Sequence, residues 1–245
     1  MNDLSDTAMI LAAGLGTRMR PLTLTTPKPL LVVGGRTMLD HALDRLVKAD
    51  IKRAVVNVFY LAEHIEEHLR QRTDIEIIIS HEESLLDTGG GIKNALHHFG
   101  GKPFLAINAD LPWIDATPPS LPAMMKTWNA ALMDVLLLLM PTDKAYGFSS
   151  RGDFIMERDG RLHRHDTHPP YPFVMTAAQI VNPAMYADIR ENVFSNNVVW
   201  DLAESAQRLY GIEHRGTCYH VGTPEDLAKA NNLLANGRGW GVITP

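Results

Sequence analysis

At 245 residues the chain can bury roughly three quarters of its unfolded surface in a core without staples. Its 45% hydrophobic and 21% charged residues exclude disorder and collagen-like repeats, and a net charge of −5 lacks the basic footprint of a nucleic-acid binder. Cys218, the single cysteine, excludes an internal disulfide; the apolar stretches fall short of the about 18 residues of a membrane-spanning helix, and Asp3 and Asp6 stand where a signal peptide needs positive charge. A cytoplasmic protein with no membrane association and no nucleic-acid partner is expected.

Taken in chain order, residues 8–13 form an apolar run ending at a glycine, which predicts the first strand. Residues 38–49 place Leu39, Leu43, Leu46 and Val47 on one face, the i, i+4, i+7, i+8 stripe of an amphipathic helix. A strand over 53–58, a helix over 61–72 with Leu61, Ile65 and Leu69 aligned, and a strand over 75–80 follow. A helix over 90–99 and a strand over 103–108 come next. After the proline-rich stretch 117–122, residues 134–140 are continuously apolar, as a strand covered on both faces requires. Beyond it the pattern loosens. Residues 153–157 and 161–165 read as a hairpin about Arg158-Asp159-Gly160, 173–182 as a strand ended by Pro183, and 198–209 and 224–236 as helices. The β-α-β-α succession predicts an α/β fold, a mostly parallel (mixed) sheet flanked by helices, in one continuous domain over 1–245.

Directly after the first strand comes Gly14-Leu15-Gly16-Thr17-Arg18-Met19-Arg20-Pro21-Leu22, followed by Thr26-Pro27-Lys28-Pro29-Leu30. Glycines after a strand let the backbone turn and bring bare N–H groups against phosphate oxygens. A dinucleotide loop would place a third glycine at position 19, where methionine sits, and the Gly-Lys-Ser/Thr of a Walker loop is absent. A plain structural turn competes with both. The cations Arg18 and Lys28 favour a phosphate site, because arginine offers a planar fork and lysine a point charge. Asp110 follows the strand over 103–108, at the carboxyl end where open α/β sheets gather ligands, although an aspartate there also suits a turn cap.

This order of motifs resembles the sugar-1-phosphate nucleotidyltransferases. It is most similar to the short N-acetylmuramate-1-phosphate uridylyltransferases, with the mannose- and heptose-1-phosphate guanylyltransferases close by. The pattern continues through Asp87-Thr88-Gly89-Gly90-Gly91-Ile92, Asn108-Ala109-Asp110 and Val221-Gly222-Thr223-Pro224 and so spans most of the chain. The resemblance implies a Rossmann-like nucleotidyltransferase fold. It also implies a reaction in which a sugar-1-phosphate oxygen attacks the α-phosphate of a nucleoside triphosphate, UTP being favoured, and pyrophosphate leaves, as in cell-wall sugar recycling. By the same resemblance Ala12, Gly14, Leu15, Gly16 and Thr17 lie along the nucleotide, Arg18 steadies the pyrophosphate, and Lys28 reaches the phosphates from the far end of the loop. Thr88, Gly89 and Gly90 contact base and ribose, with Glu82 or Glu83 as a partner for the base edge. Three bare glycines at 89–91 would form a tight wall that selects a pyrimidine by size. Asn108, Gly147 and Thr176 fall at sugar-pocket positions, and Asp110 binds Mg2+ or Mn2+.

Two departures from the family pattern stand out. Many members carry Asp-x-Gly-Thr-Pro, whose aspartate is a second metal ligand, whereas this chain has His220-Val221-Gly222-Thr223-Pro224. Either His220 is an unusual ligand, or the second metal contact has moved. The Glu-Lys-Pro segment whose lysine grips the sugar phosphate is missing, and Arg151, Arg164 and His165 are the alternatives, in a region that also holds His163 and His168. His64-Ile65-Glu66-Glu67-His68 matches an inverted zinc-protease string, but its place at the edge of a core-facing stripe makes it helix surface. Lys93 is expected to face solvent, and the four tryptophans, Trp113, Trp128, Trp200 and Trp240, to pack. A guanylyltransferase is the nearest competing function. A non-catalytic nucleotide-sugar-binding module is another, against which the joint presence of Arg18, Lys28 and Asp110 argues. A monomer is expected, since the chain ends soon after its last helix.

Overall fold

Strands covered by helices on both sides must be apolar on both sides, and the central sheet obeys this. The computed structural model describes residues 3–148, 151–164 and 170–235, with seven strands in that sheet. They are β1 (Thr7–Leu11), β2 (Arg53–Val58), β3 (Glu76–His81), β4 (Phe104–Asn108), β5 (Val135–Pro141), β6 (Phe173–Val181) and β7 (Leu209–Glu213). Their spatial order is β7-β5-β6-β4-β1-β2-β3. Every pair is parallel except those of β6, which runs antiparallel to β4 and to β5. The mixed, mostly parallel sheet predicted from the sequence is therefore the one observed.

Among the described residues five helices flank it, α1 (Met38–Lys48), α2 (Ala62–Leu69), α3 (Asp87–Ala95), α4 (Ser120–Thr127) and α5 (Asn197–Ser205), while α6 (Pro224–Ala235) packs beside the loop after β1. Alternate strand residues part to opposite faces. Ala8, Ile10, Ala54 and Val56 meet Leu39, Leu43 and Leu46 of α1 with Ile65 and Leu69 of α2. Met9 and Val55 meet Ile92 and Ala95 of α3 with Val199 and Ala203 of α5. A third, smaller cluster joins Met19, Leu31, Val33 and Met38 to Tyr219, Val221 and two residues of α6, Ala230 and Leu234. That cluster brings the segment before α6 back over the loop that follows β1.

Several local expectations change. The helix predicted over 198–209 ends at Ser205, and Leu209 opens β7 instead. The Arg208 N–H bonds the Ala203 carbonyl and the Gln207 N–H that of Glu204, with Gln207 at φ 57°, so the helix is closed in the left-handed manner usually marked by glycine. The proline-rich stretch holds α4: the Asp115 carboxylate accepts from the Ser120 N–H at 3.0 Å, and Pro122 falls in the first turn, whose N–H groups have no helical partner. Leu61 adopts φ 51° ahead of α2, so only Ile65 and Leu69 of its expected stripe are buried. The expected hairpin forms between Ile155–Met156 and Leu162–His163, with Gly160 at φ 91° in the turn. His165, the end of that expected hairpin, His168, Trp240 and the last residue expected for the final helix, Asn236, lie outside the described residues.

Candidate active site

Chain order runs outward from β1 through β2 to β3, then returns across β1 to β4. The loops leaving β1 and β4 therefore diverge, and the crevice between them is where α/β sheets bind ligands. Two adjoining clefts open there. The first, about 430 Å³, is lined by Ala12, Gly14, Lys28, Asn57, Glu82, Leu85, Asp87, Thr88, Asn108, Asp110 and Val193, among others. The second, about 740 Å³, is lined by Asn108, Phe148, Arg151, Arg164, Met175, Trp200 and His220, among others. Asn108, at the end of β4, belongs to both.

The loop after β1 has the form of an anion cradle. Its Gly14, Leu15, Gly16 and Thr17 N–H groups have no hydrogen-bond acceptor among the described residues, which leaves them for an anion. A side chain at Gly14 would meet nothing within 4 Å. Gly16 serves the backbone instead: it sits at φ 60°, and a Cβ there would lie 3.0 Å from Thr23 Cγ2 and 3.1 Å from Lys28 Cβ. The Thr23 hydroxyl donates to the Gly16 carbonyl at 2.8 Å and pins the turn.

Lys28 and Asp110 meet at the switch point. The Lys28 ammonium donates to Asp110 Oδ2 at 2.6 Å, its side chain 10% exposed and that of Asp110 38%. Arg18 is exposed nearby, and Arg18, Lys28 and Asp110 all act electrostatically on His220. Burial, with Lys28 next, holds the His220 imidazole below its usual pKa and so favours the neutral ring. Its ring lies edge-on to Phe148 at 5.2 Å, and its backbone N–H donates to the Tyr146 carbonyl at 2.9 Å. Four residues predicted from separate motifs thus converge on one spot.

Several predicted contact residues line neither cleft: Leu15, Gly16, Thr17 and Arg18 of the loop, and Gly89, Gly90, Thr176 and Gly147. Gly89 and Gly90 are buried in the first turn of α3, where a Cβ would lie 2.4 Å from the Phe194 ring and 2.1 Å from the Asn192 carbonyl. Their N–H groups both bond the Phe194 carbonyl, at 2.9 and 3.1 Å. Their lack of a side chain lets residues 192–194 pack against the helix, and neither glycine lines the first cleft. Thr176 is fully buried in the bulge where β6 slips against β5, and its hydroxyl donates to the Leu138 carbonyl at 2.7 Å. Met175 faces the second cleft in its place. Gly147 lines neither cleft: at φ 78° it lets the chain pass His220, whose carbonyl would lie 2.7 Å from a Cβ.

Other residues take roles that the sequence did not announce or, as with Arg164, offered only as one alternative. Asn57 and Val193 line the first cleft, Asn57 being a polar residue near the carboxyl end of an apolar strand, a signal that could have been read. Lys93, half-buried, donates to the Ile189 and Glu191 carbonyls at 2.6 and 3.0 Å, tying down the segment that carries Val193. Arg164 lines the second cleft while paired with Asp201 at 2.7 Å, and Trp200 lines it while donating to Gln179 at 2.8 Å. His64 is exposed and His68 lies 3.1 Å from Asp40, so no zinc pair forms on α2.

Asp110 offers the oxygen donor that a hard cation prefers, whereas the His220 imidazole suits softer ions better. Among the described residues no group of three or more His, Cys, Asp or Glu could enclose a metal ion. Asp110 Oδ1 has no hydrogen-bond partner among them, and His220 lies within electrostatic reach. A magnesium ion on the Asp110 carboxylate would complete its shell with substrate phosphates and water.

Residues 7–153 match the family model described as nucleotidyl transferase. The chain is 40% identical over 233 residues to N-acetylmuramate alpha-1-phosphate uridylyltransferase of Caulobacter vibrioides, covering 93% of this chain and 96% of that protein. It is 45% identical over 231 residues to the protein of the same name from Neisseria meningitidis serogroup B, covering 92% and 97%. Among solved structures, HddC from Yersinia pseudotuberculosis complexed with GMP-PN superimposes with a TM-score of 0.74 at 20% identity, over 92% of this chain and 98% of that one. No helix among the described residues is long and apolar enough to cross a membrane.

Proposed function

The chain belongs to the nucleotidyl transferase family, and on that premise we propose that it transfers uridylyl from UTP to N-acetylmuramate-1-phosphate, as one catalytic domain working in the cytoplasm. The observation that carries the chemistry is the Lys28–Asp110 pair, set between a loop of open N–H groups and a second cleft. The choice of UTP and of a cell-wall amino sugar rests on the two uridylyltransferases matched over nearly their whole length. It does not rest on the glycines at 89–91.

In the reaction an oxygen of the sugar-1-phosphate attacks the α-phosphorus, the bond to the β-phosphate oxygen breaks, and pyrophosphate leaves. Such transfer depends on positioning and on neutralising charge. The amides of Gly14 to Thr17 hold the triphosphate, and Arg18 takes charge on the departing pyrophosphate. Lys28 turns from Asp110 to the phosphates as the nucleotide enters. Ala12, Leu85, Thr88 and Val193 line the base and ribose space, and Asn108 stands where the two substrates meet. Arg151 and Arg164 supply positive charge in the sugar cleft, in place of the missing lysine. Asp110, with His220 beside it, would hold a magnesium ion, which would supply further neutralisation of phosphate charge when bound.

A pyrophosphate-release assay across UTP, GTP and other nucleoside triphosphates, each with several sugar-1-phosphates, tests the proposal. The highest kcat/KM is expected for UTP with N-acetylmuramate-1-phosphate. Stronger use of GTP with a mannose- or heptose-phosphate would replace it, and no product from any pair would reduce the chain to a binding module.

A further inference from the structure

We propose that Asn57 and Glu82 form a buried relay that locks the phosphate loop to the base side of the nucleotide cleft, and so act as positioning residues for the nucleoside triphosphate. The inference rests on reading that cleft as the nucleotide site. Asn57 stands near the end of β2, and Glu82 directly follows β3. The Ala12 N–H donates to Asn57 Oδ1 at 2.7 Å, Asn57 Nδ2 donates to Glu82 Oε1 at 2.6 Å, and the Leu86 N–H donates to Glu82 Oε2 at 3.0 Å. Ala12 opens the phosphate loop, and Leu86 is the residue before α3, whose Asp87 and Thr88 line the cleft. Both relay side chains are buried, at 3% and 7% exposure. Gly91 makes room for them, because a Cβ there would lie 2.7 Å from Asn57 Nδ2 and 2.8 Å from Glu82 Oε1.

The pattern of donors makes the pair specific. A backbone N–H stands at each end, so both outer atoms of the relay must be acceptors, and the inner contact must carry one donor and one acceptor. Asn with Glu meets this condition, and so does Asp with Gln. Asn57→Asp alone sets two carboxylates face to face, and Glu82→Gln alone leaves one N–H pointing at another wherever the amides are turned. An unmet polar group at such a buried site is costly. The loops it joins carry the lining of the nucleotide cleft and little of the sugar cleft.

The test compares wild type, Asn57→Asp, Glu82→Gln and the double variant by pyrophosphate release with UTP and N-acetylmuramate-1-phosphate, by UTP binding calorimetry and by thermal unfolding. Each single variant should raise the KM and Kd for UTP by at least about tenfold, with the KM for the sugar phosphate changed less than about twofold. The Asn57→Asp defect should shrink between pH 8 and pH 6, because two facing carboxylates can share a proton. The double variant should recover nucleotide affinity to within about threefold of wild type. Single variants with unchanged UTP affinity, or a double variant no better than the worse single, would overturn the relay while leaving the transferase reading intact. If a single variant does not fold, the double decides: near-wild-type UTP affinity supports the relay, and a tenfold loss overturns it. A wild type that binds no nucleoside triphosphate would overturn the reading of the cleft and the relay together.

Discussion

Lys28→Met removes one charge from the switch point and keeps most of the stem that packs beside Gly16. Stability and turnover should respond very differently. The lysine is nearly buried, but Asp110 is 38% exposed, so water screens the pair and its stabilisation lies nearer the about 1 kcal/mol of a surface pair than the 3–5 kcal/mol of breaking a buried one. The same cation facing the phosphates acts on charge that grows along the reaction, and loss of one such donor costs about 3–4 kcal/mol of barrier, or about 10²–10³ in kcat. Steady-state pyrophosphate release and urea unfolding, run on one preparation, separate the two effects. A variant within about threefold of wild-type turnover would refute the placing of Lys28 on the triphosphate, and so would a loss of activity that merely follows unfolding.

Four further outcomes are expected. His220→Asp should lower the magnesium concentration for half-maximal activity and His220→Ala should raise it, since magnesium prefers oxygen donors; identical titrations would remove His220 from the metal. Gly90→Ala should destabilise the fold by about 2 kcal/mol or more in thermal unfolding, because its Cβ would lie 2.1 Å from the Asn192 carbonyl, and a stable variant would restore Gly90 to the cleft wall. Thr176→Val should cost about 1 kcal/mol by leaving the Leu138 carbonyl unbonded, with the sugar-phosphate KM unchanged; a raised KM would return Thr176 to the sugar pocket. His41, buried with its Nε2 at 2.7 Å from the Val33 carbonyl, has its pKa pushed down to about 4 by burial. The unfolded chain, with a histidine pKa of about 6.5, then binds the proton more tightly, so stability should fall by up to about 3 kcal/mol as pH drops from 6.5 to 4. His41→Gln should flatten that part of the urea-unfolding profile.

Periodicity along the chain determined the class of fold. Each of β1 to β4 is an apolar run, and each of α1 and α2 shows its buried stripe, because a chain segment must match the layer it packs against. Motif order determined the family and the meeting of Lys28 and Asp110, since the loops leaving the carboxyl ends of β1 and β4 are brought to one edge whatever lies between them, whereas His220 reaches them from a segment outside the central sheet. Tertiary structure alone decided the purpose of the glycines at 89–91, of Gly147 and of Thr176. A glycine spells the same letter whether the space beside it belongs to a nucleotide or to Phe194, and a buried threonine the same whether it meets a sugar or the Leu138 carbonyl. The end of α5, closed at Gln207 without glycine, and the start of α4, set by Asp115 on the Ser120 N–H, rest on local hydrogen bonds that glycine and proline signals alone do not reveal. Asn57 and Glu82 are the clearest case: 25 positions apart in the chain, they become one relay only because β2 and β3 lie side by side in parallel register.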